Sequence, residues 1–511
     1  MKTKLYIILL ATFTLVSCNN DLLELYPQDR VATGTFWKTE KDFENALTAC
    51  YGSMQHEYFA HGMAYWDNLT DNGYSQHNYG SSTTIAQGNI NPTTGGLVSG
   101  VFNRSYICIA RVNVFLEKLK EFDGMNAAKK TQYEAEARML RAFYYSYLYR
   151  CYGDVPIADE PLTLENMYLA KSPASEVLGF IMGDLDFAIQ NLQNLTYSAS
   201  GGRWTVNAAK AYKARIILYD SYDANGNAIA SKMQEAQTLL NQITGYSLAT
   251  DYSDNFHDLK QQTCPEIIMS VKFLAPNNYT AADQWYADWI VTSPLANLIS
   301  LYDMADGSPG TPVPYTGRGV IDPAVFSNAS LDEREPRAAK TVFINQYRVG
   351  TGVYTPSNNR PLGTGLYKFV SLNLAPPYGY STYSQNDWVL IRYADVLLML
   401  AEIENELSGP TNIVYKAIND IRQRAGTSLL PAGLNKDSMR ERIRRERRVE
   451  LAFEGQRYFD LKRWKIAKQV LNAVQDGLIT YSFEDKHYLW PLPQTEIDKA
   501  NGVLIQNPNY Q

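Results

Sequence analysis

Small and apolar residues recur every three or four positions between 131 and 152: Ala135, Met139, Ala142, Phe143 and Tyr147. That spacing lines one face of an α-helix. A second stretch, 175–192, carries Val177, Leu178, Ile181, Leu185 and Ile189 on one side. The same reading predicts helices over 207–221 and 231–244, over 392–407 and 413–424, and from 437 to 454, with an earlier one at 36–56. These segments fall into pairs. Ala208, Ala209, Ala211 and Ala214 place small side chains where two helices must approach, as a tetratricopeptide-like helix–turn–helix repeat requires. The pairs are unevenly spaced and no strict motif recurs. The expected fold class is mostly α, with helix pairs over about 131–246 and 391–470.

Between these pairs the pattern changes. Stretches of about 66–110 and 250–390 are rich in Pro, Gly, Asn and Tyr. Only short strand-like runs interrupt them, such as 267–271 (Ile-Ile-Met-Ser-Val) and 339–343 (Ala-Lys-Thr-Val-Phe). Irregular stretches of this length inside a compact protein usually carry function. They are expected to form an irregular, loop-rich ligand-binding portion.

The start of the chain has a different character. Lys2 and Lys4 precede an apolar run from Leu5 to Val16, followed by Ser17 and Cys18. This is the layout of an export signal, too short to span a bilayer. Leu15-Val16-Ser17-Cys18 is similar to a bacterial lipoprotein box, which implies removal of residues 1–17 and acylation of Cys18. Asp21 and Glu24 weakly resemble a tag for the outer face of the outer membrane. No later segment is long and apolar enough to cross a membrane. With 47 basic against 53 acidic residues, a general nucleic-acid binder is disfavoured. Tyrosine is abundant, 37 of 511 residues, which suits both polar-ligand surfaces and ordinary helix packing. Cys50, Cys108, Cys151 and Cys264 lie far apart. Cys108 and Cys151 sit in apolar helical patterns and read as buried free thiols.

Four segments carry a family resemblance. They are 136–145 (EARMLRAFYY) with 152–156 (YGDVP), 391–402 (IRYADVLLMLAE), 418–426 (INDIRQRAG), and 446–458 (ERRVELAFEGQRY) running on to Asp460-Leu461 and Arg463-Trp464. With the lipoprotein box, these make 18–511 resemble the SusD/RagB family of outer-membrane nutrient-binding lipoproteins. The resemblance implies four tetratricopeptide-like helix pairs beneath an irregular ligand-binding subdomain. It also implies a SusC-like TonB-dependent transporter as partner, for which the protein captures glycan. One departure is visible: the second helix of the second pair, often begun by Trp in the family, reads Lys232-Met233-Gln234-Glu235 here.

The run from Arg440 to Arg448 is interleaved with Glu441, Glu446, Glu450 and Glu454. Glu441–Arg445 and Arg442–Glu446 are spaced to pair on one helix, so the run is expected to be a solvated, ion-paired face rather than a nucleic-acid site. Asp67 and Asp71 are the nearest approach to the two carboxylates a glycosidase needs; the resemblance makes them structural. His56, His61, His77, His257 and His487 show no metal spacing, and no calcium-loop pattern occurs. Neither metal nor cofactor is expected.

Aromatic clusters are the best functional signal. A sugar offers a C–H face that packs on Trp or Tyr and edge hydroxyls that need amides or charged groups. Tyr74, Asn78 and Tyr79 follow the acidic segment, and Tyr279, Trp285 and Trp289 precede Pro294. These are the two regions where the resemblance implies ligand contacts. Trp285 and Trp289, four apart, equally fit a buried helix stripe. A weaker group is Tyr378, Tyr380 and Tyr383. The expected function is non-catalytic glycan capture at the outer membrane. The rivals are a surface glycoside hydrolase and a peptide- or protein-capture lipoprotein of the same fold.

Overall fold

The computed structural model describes residues 36–510, apart from 350, 372, 380 and 381. The expected signal segment, Cys18 and Tyr380 lie outside the described residues. Helix α1 spans Glu40–Gly52, α2 Leu97–Glu121, α3 Ala127–Tyr152, α4 Ala174–Asn191, α5 Val206–Tyr219 and α6 Ala230–Leu240. In the second half α7 spans Tyr393–Ser408, α8 Asn412–Ala425, α9 Lys436–Glu450 and α10 Arg457–Arg463. Packing is serial: α2 on α3, α3 on α4, α4 on α5, α5 on α6, α6 on α7, and α7 on both α8 and α9. Each element thus contacts mainly its neighbours, the architecture of a helical repeat. Ala208, Ala209, Ala211 and Ala214 are fully buried in α5, where the close approach was expected.

Two departures from the pattern reading have simple causes. The loop-rich stretch expected over 66–110 stops at Gly96, because α2 begins at Leu97. Val98, Val101, Phe102, Ser105, Ile109 and Val112 line its buried face, and that run continues through Cys108 well past position 110. Nor is 339–343 a strand throughout. Pro336 starts a short helix, Pro336–Thr341, since proline suits the first helical position. Only Val342–Ile344 is extended.

Short antiparallel pairs order the irregular half. Strand β1 (Gly73–Tyr74) pairs with β3 (Ser293–Pro294). The expected strand β2 (Ile267–Val271) pairs with β8 (Trp388–Arg392). Strand β4 (Val342–Ile344) pairs with β7 (Thr364–Leu366), and β5 (Tyr347–Val349) with β6 (Gly352–Tyr354).

A buried ionic network joins this half to the helices. Arg392 reaches Glu266 at 2.7 Å and Glu454 at 2.8 Å, and Arg337 reaches Glu446 and Glu450 at 2.7 Å each. Helix α9 therefore corrects the expectation of a solvated face. Glu446, Arg447 and Glu450 are buried and pair with other elements, Arg447 with Asp395 at 2.5 Å and Asp460 at 2.8 Å. Arg445 turns to Asp303 rather than Glu441. The helix lies between the stack and the loops, so its buried charges find partners outside its own sequence, while Arg440–Asp437 and Arg444–Glu441 pair within it on the exposed side. All four described cysteines are buried free thiols.

Candidate functional site

The site begins with an acidic segment that is entirely interior. Asp67 accepts hydrogen bonds from Asn72 Nδ2 at 2.8 Å and from the Phe453 and Gly455 amides at 3.1 Å each. Burial raises its carboxyl to about 6, against those hydrogen bonds. Burial also pushes Asp71 upward, but the Arg448 and Arg457 guanidiniums outweigh it and hold the carboxyl at about 2. These two residues are structural. Neither is available as a member of a catalytic pair, which would have to flank a substrate.

The acidic segment aims the chain that follows it. Asn68 Nδ2 donates to the Val291 carbonyl (3.3 Å) and to Thr292 Oγ1 (3.1 Å), and the Leu295 amide donates to the Asn72 carbonyl at 3.0 Å. With the β1–β3 pairing, these bonds fix loop 72–80 against 284–294. The latter opens with a π-helical turn, Gln284–Asp288, in which the Trp289 amide donates to the Gln284 carbonyl at 2.8 Å. Wide turns of this kind are rare and recur at functional sites. Here Gln284, Tyr286, Ala287 and Asp288 face inward and are buried, whereas Trp285 and Trp289 are only half-buried. The two indoles pack against the main core with one side and keep part of their surface exposed.

Three side chains from two segments converge on the Trp289 carbonyl. Gln76 Nε2 donates to it at 2.9 Å and Asn358 Nδ2 at 3.3 Å; His77 Nε2 lies 3.2 Å away. Gln76 also reaches the Ile290 carbonyl at 3.3 Å. The next residue is strained: Ile290 has φ 52°, a left-handed conformation that a β-branched residue seldom adopts. Its side chain is buried against Phe343, Tyr347 and Tyr378, and the clamped carbonyls hold the turn in place. Asp288 points inward, accepting from Tyr354 Oη and from the Ser357 amide and Oγ, each at 2.9 Å. The outer surface thus presents two half-buried indoles beside an imidazole and side-chain amides, while the carboxylate beneath is engaged. Such a surface suits a ring with an apolar face and hydroxyls at its edge.

The chain is similar to known proteins over most of its length. Residues 245–510 match the model described as the SusD family, and residues 23–218 match one described as starch-binding associating with outer membrane. The chain belongs to the SusD family. The SusD-like protein P38 of Formosa agariphila is 27% identical over 506 residues, covering 95% of each chain. A SusD-like protein of Bacteroides fragilis superposes with TM-score 0.78 at 26% identity, over 95% of this chain and all of its own. A SusD-like carbohydrate-binding protein of the same species gives TM-score 0.76 at 23% identity, over 93% of this chain and 100% of its own.

The site residues expected of a SusD-family chain are only partly gathered. Tyr79 stacks on Tyr65 with centroids 6.0 Å apart, and Tyr65 contacts Trp285 at 6.3 Å, so Tyr79 and Trp285 share one cluster. Asn78 sits beside them in a left-handed turn (φ 50°). Its amide is spent on Thr84, donating to Oγ1 at 3.1 Å and accepting from the backbone amide at 3.2 Å. Tyr74 packs elsewhere, in a small apolar cluster with Ala86, Leu295, Leu362 and Tyr481. Tyr279 meets Tyr383 edge-on at 4.6 Å, and both are exposed. Tyr378 is buried. Gln76, His77, Tyr354, Ser357 and Asn358 were not singled out from sequence. Gln76 and His77 lie inside the aromatic cluster of 74–79, which was a signal, whereas nothing in the sequence pairs 354–358 with position 289.

Proposed function

We propose that the protein is a cell-surface glycan-binding lipoprotein of the outer membrane. It is anchored through Cys18, binds oligosaccharide without cleaving it, and hands it to a SusC-like TonB-dependent transporter. The half-buried pair Trp285 and Trp289 on a clamped π-turn, beside His77 and Asn358, carries this reading. Indole faces stack on sugar rings, and the neighbouring imidazole and amides meet hydroxyls. A structural neighbour named as carbohydrate-binding and the matched outer-membrane starch-binding description support it. The layout of residues 1–18 supports the anchor.

A glycan array, followed by calorimetric titration of the best ligand, tests the reading. Binding that is lost on Trp289→Ala with an unchanged fold is expected. Turnover of the bound oligosaccharide would favour a hydrolase instead. Binding of peptides with no glycan bound would favour a peptide-capture lipoprotein.

A further inference from the structure

Helices α3, α5, α7, α9 and α10 converge on a cavity of about 10 Å³, room for one water-sized species. Its wall holds the guanidiniums of Arg150, Arg215, Arg447 and Arg463 but a single carboxylate, Asp460. The charges around it do not balance. Asp395 pairs with Arg215 at 2.6 Å and with Arg447 at 2.5 Å. Asp460 pairs with Arg447 at 2.8 Å and with Arg463 at 2.9 Å. Glu402 ends the chain on Arg463 at 2.7 Å. Three carboxylates thus serve four guanidiniums, and Arg150 is left over. Arg150 is 4% exposed. Its Nε donates to the Ser146 carbonyl at 3.1 Å, and its guanidinium lies 4.0 Å over the Phe459 ring and 4.6 Å over that of Tyr147. No carboxylate among the described residues forms an ion pair with it.

The neighbouring groups do not supply the missing charge. Lys462 is buried as well and donates to the Arg150 carbonyl at 2.7 Å, which adds positive charge. Burial pushes the Cys151 thiol up to about 11, so it stays neutral at pH 7. Donors are left over too. Arg215 Nε is buried without a hydrogen-bond partner. Arg447 spends Nε on Asp460 and Nη1 on Asp395, which leaves Nη2 without an acceptor among the described residues. A charge at this depth is strongly unfavourable unless it is paired. We propose that the cavity binds one small monovalent anion, chloride in ordinary media, which supplies the counter-charge of Arg150 and locks the junction of the five helices. The space admits a bare halide but neither a sulfate nor a carboxylate-bearing molecule. A water would accept from the same donors and leave the charge unmatched.

Two measurements on the unaltered protein test the site. In the first, urea unfolding is followed at constant ionic strength while chloride replaces gluconate, an anion too large to enter. A ligand held only by the folded state raises the folding equilibrium constant about tenfold for each tenfold rise in concentration beyond saturation. That dependence on chloride is the expected result, and equal unfolding in the two salts would overturn the proposal. In the second, protein refolded and crystallised in sodium bromide should show an anomalous peak in the cavity at the bromine absorption edge. Density there without anomalous signal would mean water only and would overturn the anion. Arg150→Met removes the surplus charge, so its unfolding should no longer respond to chloride. A folded variant that keeps the full response would overturn Arg150 as the partner of the anion. Should the variant fail to fold, the two measurements on the unaltered protein decide.

Discussion

The Asp71 carboxylate forks onto the Arg457 guanidinium, with Nε–Oδ1 at 2.9 Å and Nη2–Oδ2 at 2.8 Å. Arg448 closes the other side, 3.0 Å from Asp71 and 2.7 Å from Asn72 Oδ1. One carboxylate therefore ties the loop that carries Gln76, His77 and Tyr79 to α9 and α10. The loop contacts that clamp the indole ridge are thereby tied to the helical scaffold.

Asp71→Asn should be strongly destabilising, because it leaves two buried guanidiniums without their counter-charge. Breaking a buried pair from one side costs about 3–5 kcal/mol. Chemical denaturation of the variant should show a midpoint shift of that order, with weaker glycan binding where the fold survives. A shift within about 0.5 kcal/mol, the usual range for surface changes, would show that the fork does not hold the loop.

Acid should unfold the protein through the same pairs. Asp71 is held at about 2 and Glu402 at about 2, each below its ordinary value of 3.8 and 4.5. For Glu402, burial acts upward and the Arg463 guanidinium outweighs it. A folded pKa below the unfolded one stabilises fully above the ordinary value and loses that contribution as pH falls toward the folded value. Each group contributes on the order of 2–3 kcal/mol. Asp67 works in the opposite sense: raised to about 6, it opposes folding at neutral pH and ceases to do so once protonated. Urea midpoints should hold or rise slightly from pH 7 to 5, then fall steeply between about 4.5 and 2. A flat profile through the acid limb would contradict the paired geometry.

Helix pairing was legible in the sequence because burial on one face repeats at helical spacing, as in α3 and α4. The role of α9 was not. Spacing shows that Glu446 and Arg442 lie one turn apart, yet Glu446 spends its oxygens on Arg337 and Arg422, one of them 109 residues away in sequence. The proposed ligand ridge was legible by half. Trp285 and Trp289 announced themselves by type and place, but whether they faced in or out depended on a π-turn that widens their spacing. Asn358 reaches the site only through the fold of 354–360 onto Asp288, which no local pattern encodes. The surroundings of Tyr74 were not legible for a related reason. Pairing of β1 with β3 leaves its ring half-buried among Leu295, Leu362 and Tyr481.

Cys18→Ser should abolish acylation. The expected outcome is a chain that is either soluble or retained with its signal uncut, read by metabolic labelling with a fatty acid and by membrane fractionation. A membrane-bound, acyl-labelled variant would refute the anchor.

The last contrast separates the ridge from its neighbours. Trp289 is half-buried on the clamped turn, so Trp289→Ala removes a stacking face worth about 1–3 kcal/mol of binding. Affinity should fall tenfold or more, since about 1.4 kcal/mol is one decade. Because the indole is not fully interior, the stability lost should stay below the roughly 3–5 kcal/mol of a core aromatic truncation. Trp285 should show a mixed effect, as its ring also contacts Tyr65, whose side chain is buried. Tyr74→Ala should behave in the reverse manner, because its ring fills a small apolar cluster: the melting temperature should drop while affinity changes little. Calorimetric titration with the best array ligand, run beside thermal unfolding of all three variants, reads both quantities. Loss of affinity at Tyr74 with none at Trp289 would move the ligand surface away from the π-turn and toward the β1–β3 pair.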